Sequence, residues 1–333
     1  MALEMDKLGY QPGDEAFRRE SIKGTRWEAT YGGAQSYMRR KYTRDLTGVD
    51  IAVTGIPFDQ AVTHRPGTRL GPAGIRQASA ENAWGPVYPW NFDPFDTLGV
   101  IDYGDCFFDW GLKENFPATL EKHATEIISS GAEMIALGGD HYISYPLLKA
   151  HAKIHGPLAL VHFDAHRDME PDSGGRIDHG TMFGYALREG LIDPHKSTQI
   201  GIRTSFVGET TDGIRIIFAD EVHDSTADQI ANIIRERAGT TKAYLTFDID
   251  CLDPSAAPGT GTPIPGGLTY HQAASIIRKL KGVNFVGMDM VEVSPPFDHA
   301  EITSIAASAL VMEYICLKAW AKGAGKVESK ARE

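Results

Sequence analysis

From residue 50 onward the chain alternates short runs of β-branched and aromatic residues with longer stretches whose apolar positions recur every three or four residues. The runs are DIAVTGI (50–56), EMIALGG (133–139), LALVHFD (158–164), TQIGIR (198–203), RIIFA (215–219), KAYLTFDID (242–250) and NFVGMDM (284–290). Stretches 116–130, 142–154, 224–238 and 270–280 carry the helical spacing. Apolar strands separated by helices predict a mainly parallel sheet, joined by right-handed crossovers and covered by helices on both faces. The pattern is that of an α/β fold. In such sheets ligands bind beyond the carboxyl ends of the strands. Connections are short, so residues 49–333 are expected to form a single domain. Residues 1–48 mix charge, glycine and aromatic residues without periodicity. They read as an irregular N-terminal arm with one short helix, part of the same unit and suited to packing on a neighbouring subunit.

Composition narrows the classes of function. With 333 residues, 42% hydrophobic and 23% charged, the chain is an ordinary globular protein. A formal charge of −11 and the lack of a Lys/Arg stripe exclude general nucleic-acid binding. The same charge is compatible with a small cationic substrate. No apolar run approaches the roughly 20 residues of a membrane span. The start, MALEMDKLGYQPGDEAFRRE, has no signal-peptide core. A cytoplasmic protein without a membrane partner is therefore expected. Cys106, Cys251 and Cys316 are widely spaced and odd in number, which fits neither a disulfide framework nor a Cys-rich zinc site, and they read as reduced packing thiols.

The unusual chemistry falls where strands stop. EMIALGGDH runs into Asp140, a turn or N-cap residue, and His141, a candidate ligand. In VHFDAHRD, alternation places Asp164, His166 and Asp168 on one side, with Ala165 and Arg167 facing the other way. YLTFDIDCLDP ends in two same-face carboxylates, Asp248 and Asp250, while Asp253 precedes a proline and reads as a turn residue. Acids and imidazoles crowded on one face repel and desolvate one another unless a cation compensates. Two histidines and four carboxylates from three strand ends exceed one tetrahedral ion and suit two divalent ions sharing bridging carboxylates. Oxygen and imidazole donors without thiolate favour Mn²⁺ over Zn²⁺, with Ni²⁺, Co²⁺ or Fe²⁺ as alternatives. Two such ions would activate a water, which makes hydrolysis the expected chemistry.

The segments GGDH (138–141), HFDAHRD (162–168), DHGTMF (178–183), FDIDCLDPSAAPGTGTPIPGG (247–267) and MVEV (290–293) resemble the ureohydrolases, the arginase and agmatinase family. GIPFD (55–59), THRPGTRLGPAGIR (63–76), PWNFD (89–93), QIGIR (199–203) and EITS (301–304) extend the likeness over nearly everything after residue 50, with a texture nearest the bacterial agmatinases. The resemblance implies a three-layer α/β/α sandwich on a largely parallel eight-stranded sheet. It also implies a binuclear manganese centre, two Mn²⁺ per chain, that hydrolyses guanidino groups to urea. Carried over by position, His141, Asp164, Asp168 and Asp248 would bind one ion. His166 and Asp250 would hold the second, with Asp164 and Asp248 bridging. Asp168 would also orient the attacking hydroxide. Glu292 would meet the guanidinium, and His179 would contact substrate and protonate the departing amine. The family forms trimers and hexamers, so a homo-oligomer is expected.

The substrate tail is left open by two features. Arg167 stands where agmatinases commonly have a small residue. It could tie down neighbouring acids, or bend into the mouth and favour a carboxylate tail, as in 4-guanidinobutyrate. Glu170 and Asp172 would instead attract the ammonium tail of agmatine, which is the first expectation, giving putrescine and urea. Three other classes are weaker. A non-catalytic partner subunit would usually lose ligands, a mono-zinc deacetylase-like enzyme would not require His141, and a two-metal phosphatase would need a phosphate cradle beside the cluster.

Overall fold

A computed structural model describes residues 13–26, 28–171, 174–206 and 211–325; Asp172 lies outside them. The strands are β1 (Lys41–Tyr42), β2 (Ile51–Ile56), β3 (Val100–Asp105), β4 (Glu133–Gly138), β5 (Ala159–Phe163), β6 (Thr198–Ile202), β7 (Arg215–Phe218), β8 (Lys242–Asp248) and β9 (Asn284–Val291). The helices are α1 (Glu15–Arg18), α2 (Gly71–Ser79), α3 (Pro94–Thr97), α4 (Phe116–Ser129), α5 (Ser144–His155), α6 (Met182–Arg188), α7 (Ala219–His223), α8 (Ala227–Ala238), α9 (Tyr270–Lys279) and α10 (Ile302–Ala321). One sheet runs β1-β3-β2-β4-β9-β8-β5-β6-β7, with every neighbouring pair parallel.

Alternation along each strand feeds two cores, one on either face of the sheet. Ile51, Val53, Ile135, Leu137, Val161 and Leu245 pack with Ile75 of α2, Ile230 of α8, Ile277 of α9 and Leu310 of α10. The intervening Ala52, Met134, Ala136 and Leu160 pack with Leu120 and Ile127 of α4, Leu148 of α5 and Phe183 of α6. Helix starts are encoded locally: Thr226 with Gln229, and Thr269 with Gln272, form reciprocal capping boxes at α8 and α9.

Three expectations change. The sheet has nine strands rather than eight among the described residues, with β1 a two-residue edge strand drawn from the arm. The arm also inserts into its own chain: Tyr37 and Met38 are fully buried, Tyr37 N donates to Asp102 Oδ2 (2.7 Å), and Met38 N donates to Ser79 Oγ (2.8 Å). This part of the arm is therefore not held out for a neighbouring subunit. Third, α10 is long and apolar enough by composition to cross a membrane, but 78% of its most apolar window is buried inside the fold. It is a core helix whose polar members find partners, Glu313 accepting from Trp90 Nε1 (2.6 Å) and Lys318 Nζ donating to the Phe285 carbonyl (2.6 Å).

Candidate metal centre

The four central strands, adjacent in the order β4, β9, β8, β5, all end on the same edge, and their carboxyl ends carry the candidate residues. After β4 the chain turns sharply through Gly139, at φ 27°, where a Cβ would stand 2.5 Å from both the Ile56 and Phe58 carbonyl oxygens. Only glycine fits there, and the turn delivers His141 inward. Asp140, at the N-cap position, makes no cap; its Oδ2 accepts the Ala61 amide (2.9 Å) and pins the loop after β2 over the site.

His141 Nδ1 lies 3.1 Å from Asp164 Oδ2, 2.9 Å from Asp168 Oδ2 and 3.2 Å from Asp248 Oδ2, yet hydrogen-bonds none of them. Its other nitrogen is already engaged. Thr246 Oγ1 gives its proton to Asp289 Oδ1 (2.5 Å), so it must accept from His141 Nε2 (2.8 Å). Nε2 therefore carries a proton, and Nδ1 is the nitrogen that faces the three carboxylate oxygens; burial would lower the ring's pKa, but Asp164, Asp168 and Asp248 push it well above its usual value, so the pocket draws positive charge to this point. Three carboxylate oxygens and an imidazole nitrogen converging in a buried place are stable together only around positive charge, held by the ring as a proton or by a metal ion in its place. A second cluster lies beside the first: His166 Nδ1 is 3.0 Å from Asp250 Oδ2 and 3.3 Å from Asp164 Oδ1. Asp164 thus divides its two oxygens between two histidine-bearing clusters. The donor set fits two divalent ions.

Charge crowding shows in the acids. Burial, with Asp250 and Asp164 adding repulsion, pushes the Asp248 carboxyl well above its usual range. Burial and the Asp164 charge raise Asp168 to about 7. Asp164 runs the other way: burial would raise it, but the surrounding His162, His141 and His166 hold it well below the ordinary carboxylate value.

Glu292 follows β9 directly. Its Oε1 accepts the His141 amide (2.9 Å) and His179 Nδ1 (3.0 Å), while Oε2 is buried without a hydrogen-bond partner. His179 stands in the loop before α6, its Nε2 2.7 Å from Thr63 Oγ1, which accepts from the ring when it is charged, and 2.9 Å from the Thr63 amide, which donates to it when the ring is neutral. Glu292 and Asp168 both adopt left-handed backbone, φ 62° and 53°. Such conformations cost about 1–3 kcal/mol each for ordinary residues and gather at functional sites.

The remaining candidates lie at the margin. Arg167 is 3% exposed, and its Nε donates to Gln199 Oε1 (3.1 Å). Glu170 is partly exposed, and a Cβ on Gly180, next to His179, would lie 3.1 Å from its Oε1. Residues behind the clusters went unread. His162 Nε2 stands 2.7 Å from Asp164 Oδ2, and Thr246 and Asp289 support His141. β5 ends at Phe163 and Asp168 has left-handed backbone, so Asp164, His166 and Asp168 come together through the turn after the strand and not by strand alternation, while a step of two back from Asp164 reaches His162 and from Asp248 reaches Thr246. Cys106, Cys251 and Cys316 are free and buried.

Comparison with known proteins agrees with this architecture. Residues 49–316 match the arginase family. An agmatinase from Chromobacterium violaceum is 53% identical over 322 residues, 96% of this chain and 99% of that protein. A solved structure described as a hypothetical agmatinase from Burkholderia thailandensis superposes with a TM-score of 0.91 at 51% identity, covering 93% of this chain and 98% of that one. Proclavaminate amidino hydrolase from Streptomyces clavuligerus follows with a TM-score of 0.81 at 36% identity over 88% and 99% of the two chains. A parallel α/β fold with a His/Asp centre at its strand ends defines the class. The chain belongs to the arginase family.

Proposed function

We propose that this protein is a binuclear metal ureohydrolase that adds water across the guanidino carbon of agmatine, releasing urea and putrescine. The observation that carries the reading is Asp164, whose two oxygens serve two adjacent clusters at the ends of the central strands. The high identity to proteins named agmatinase over nearly the whole chain supports the substrate. His141, Asp164, Asp168 and Asp248 would hold one ion, and His166, Asp250 and the shared Asp164 and Asp248 the other. Bound divalent ions would lower the pKa of a water and neutralise developing charge. Mn²⁺ suits the oxygen and imidazole donors, with Ni²⁺ or Co²⁺ the alternatives.

The chain's own groups supply the rest. Asp168, facing the first cluster, accepts the proton of the attacking water. Glu292 Oε2, the unpartnered buried oxygen, pairs with the guanidinium. His179 hands a proton to the departing amine nitrogen as the C–N bond breaks. Glu170, whose carboxylate lies against Gly180 next to His179, would offer a negative charge to an ammonium tail, which favours agmatine over a guanidino acid. The exposed Phe107 and Trp110 support self-association, read as a homo-oligomer of trimer or hexamer type. Buried free thiols suit a reducing cytoplasm.

The test is urea release by Mn²⁺- and Ni²⁺-loaded protein given agmatine, 4-guanidinobutyrate, arginine and free guanidine in parallel, with metal content measured. Agmatine turnover at two ions per chain is expected. Inactivity on all four substrates would overturn the reading and favour a non-catalytic subunit.

A further inference from the structure

We infer that Arg167, Gln199 and His162 form a positioning relay that fixes the direction of Asp164, so that Arg167 serves the metal centre from behind rather than the substrate from the front. The inference rests on the two-ion reading above. Gln199 lies on β6, paired in register with His162 on β5, and is fully buried. A glutamine side chain can be turned either way about its last bond, and here Arg167 decides the matter twice. Its Nε, which can only donate, is 3.1 Å from Gln199 Oε1, and its main-chain oxygen, which can only accept, is 2.7 Å from Gln199 Nε2. One amide orientation satisfies both contacts and the reverse satisfies neither.

The rest follows by donor and acceptor logic. Gln199 Nε2 is therefore the atom 3.1 Å from His162 Nδ1, and an amide nitrogen only donates, so Nδ1 holds a lone pair. The ring proton is on Nε2, 2.7 Å from Asp164 Oδ2, and is donated to it. The donor atoms of His162, His141, Asp164 and Asp168 lie within 4.8 Å of one another, but the His162 lone pair faces away from the other three. The two histidines nearest the first cluster are thus set in opposite senses. His141 turns inward the nitrogen that Thr246 leaves unengaged, and His162 turns a proton inward because the Gln199 amide donates to its other nitrogen. Asp164 Oδ1 receives the His166 amide (2.6 Å), so each oxygen of the shared carboxylate has one fixed donor and is aimed at one cluster. A guanidinium never deprotonates in a protein and cannot become an acceptor, so the orientation that begins at Arg167 holds at any working pH.

The experiment titrates Mn²⁺ into chelator-stripped full-length wild type, His162→Phe, His162→Gln, Gln199→Glu and Arg167→Met by calorimetry. Thermal melts and the kcat and KM for agmatine at saturating Mn²⁺ are measured alongside. Removing such supporting partners typically costs about 10–100-fold in metal affinity. His162→Phe is expected to weaken Mn²⁺ binding by about that factor, lowering kcat with KM within about twofold. His162→Gln, which presents an N–H in about the same place, should recover most of the affinity. Gln199→Glu keeps the size and accepts from Nδ1, drawing the proton off Nε2, and should weaken binding as His162→Phe does even if the latter folds poorly. Wild-type affinity in both His162→Phe and Gln199→Glu would overturn the relay while leaving the two-ion reading intact. Loss of an ion in His162→Gln as well would overturn it by making His162 a ligand. A raised KM alone in Arg167→Met would overturn it by placing that side chain on the substrate. A wild type that binds no divalent ion would overturn the function and the relay together.

Discussion

Glu292 and His179 meet at 3.0 Å, Oε1 to Nδ1, and the same carboxylate oxygen accepts the His141 amide at 2.9 Å. One atom at the end of β9 therefore sets both the turn that presents a metal-philic imidazole and the loop histidine assigned to proton transfer. The second oxygen is left for another partner. The left-handed backbone of Glu292, φ 62°, is a geometry that the residue would not adopt unaided.

The pair makes stability depend on pH in a definite direction. Burial alone would lower the His179 pKa, but the Glu292 carboxylate, helped by Asp168 and Asp140, outweighs it and pushes the imidazole up to about 9. A raised value means that the folded state holds the proton more tightly, so the contribution is full below the unfolded value of about 6.5 and is lost as pH rises through about 9. The difference in urea midpoint between wild type and Glu292→Gln should be largest near pH 6 and shrink by pH 10. A pH-independent gap would show that the carboxylate does not charge this histidine.

Asp168→Asn tests the proton acceptor. Asparagine matches the size and tolerates φ 53°, and the change leaves Asp164, Asp248, Asp250 and both histidines in place. Turnover should fall by at least about 10²-fold, while elemental analysis still finds at least one ion bound. Full activity would show that another group takes the proton.

Seven strands and four helices were legible as runs and periods because each buries a regular pattern against the sheet. What escaped had a physical reason. α10 is buried on nearly every side, so it carries no polar stripe to betray a period. Strand β3 reads VIDYGD, in which Asp102 looks like a turn residue but is buried beneath Arg76 Nε (2.8 Å) and Nη2 (2.9 Å). The clustered acids and histidines were visible because metal-philic side chains at strand ends defy the apolar pattern around them. Their supports were not, since Thr246, Gln199 and Asp289 are ordinary polar residues whose roles appear only when strands distant in sequence become neighbours.

Gly139→Ala probes the turn after β4. A Cβ there meets two carbonyl oxygens at 2.5 Å, and neither can retreat without breaking the β2 end. The substitution should cost about 1–3 kcal/mol, read as a lower denaturant midpoint, and weaken metal binding because His141 shifts with the turn. An unchanged midpoint would mean that the loop after β2 yields freely.

Thr246→Val separates tautomer control from packing, because valine keeps the shape and removes the hydroxyl. Thr246 accepts from His141 Nε2 and donates to Asp289, which also receives Ser144 Oγ (2.8 Å) and Tyr244 OH (3.0 Å). Without the hydroxyl the buried Nε2–H loses its acceptor, and the ring gains by moving the proton to Nδ1, where three carboxylates would welcome it. That proton occupies the lone pair a cation needs. Mn²⁺ affinity should therefore drop by about 10-fold or more, with a stability loss of about 1–3 kcal/mol from the orphaned groups. Thr246→Ser, which restores the hydroxyl with a smaller side chain, should recover the affinity while keeping part of the stability loss. If serine and valine bind metal equally weakly, packing rather than proton placement governs His141.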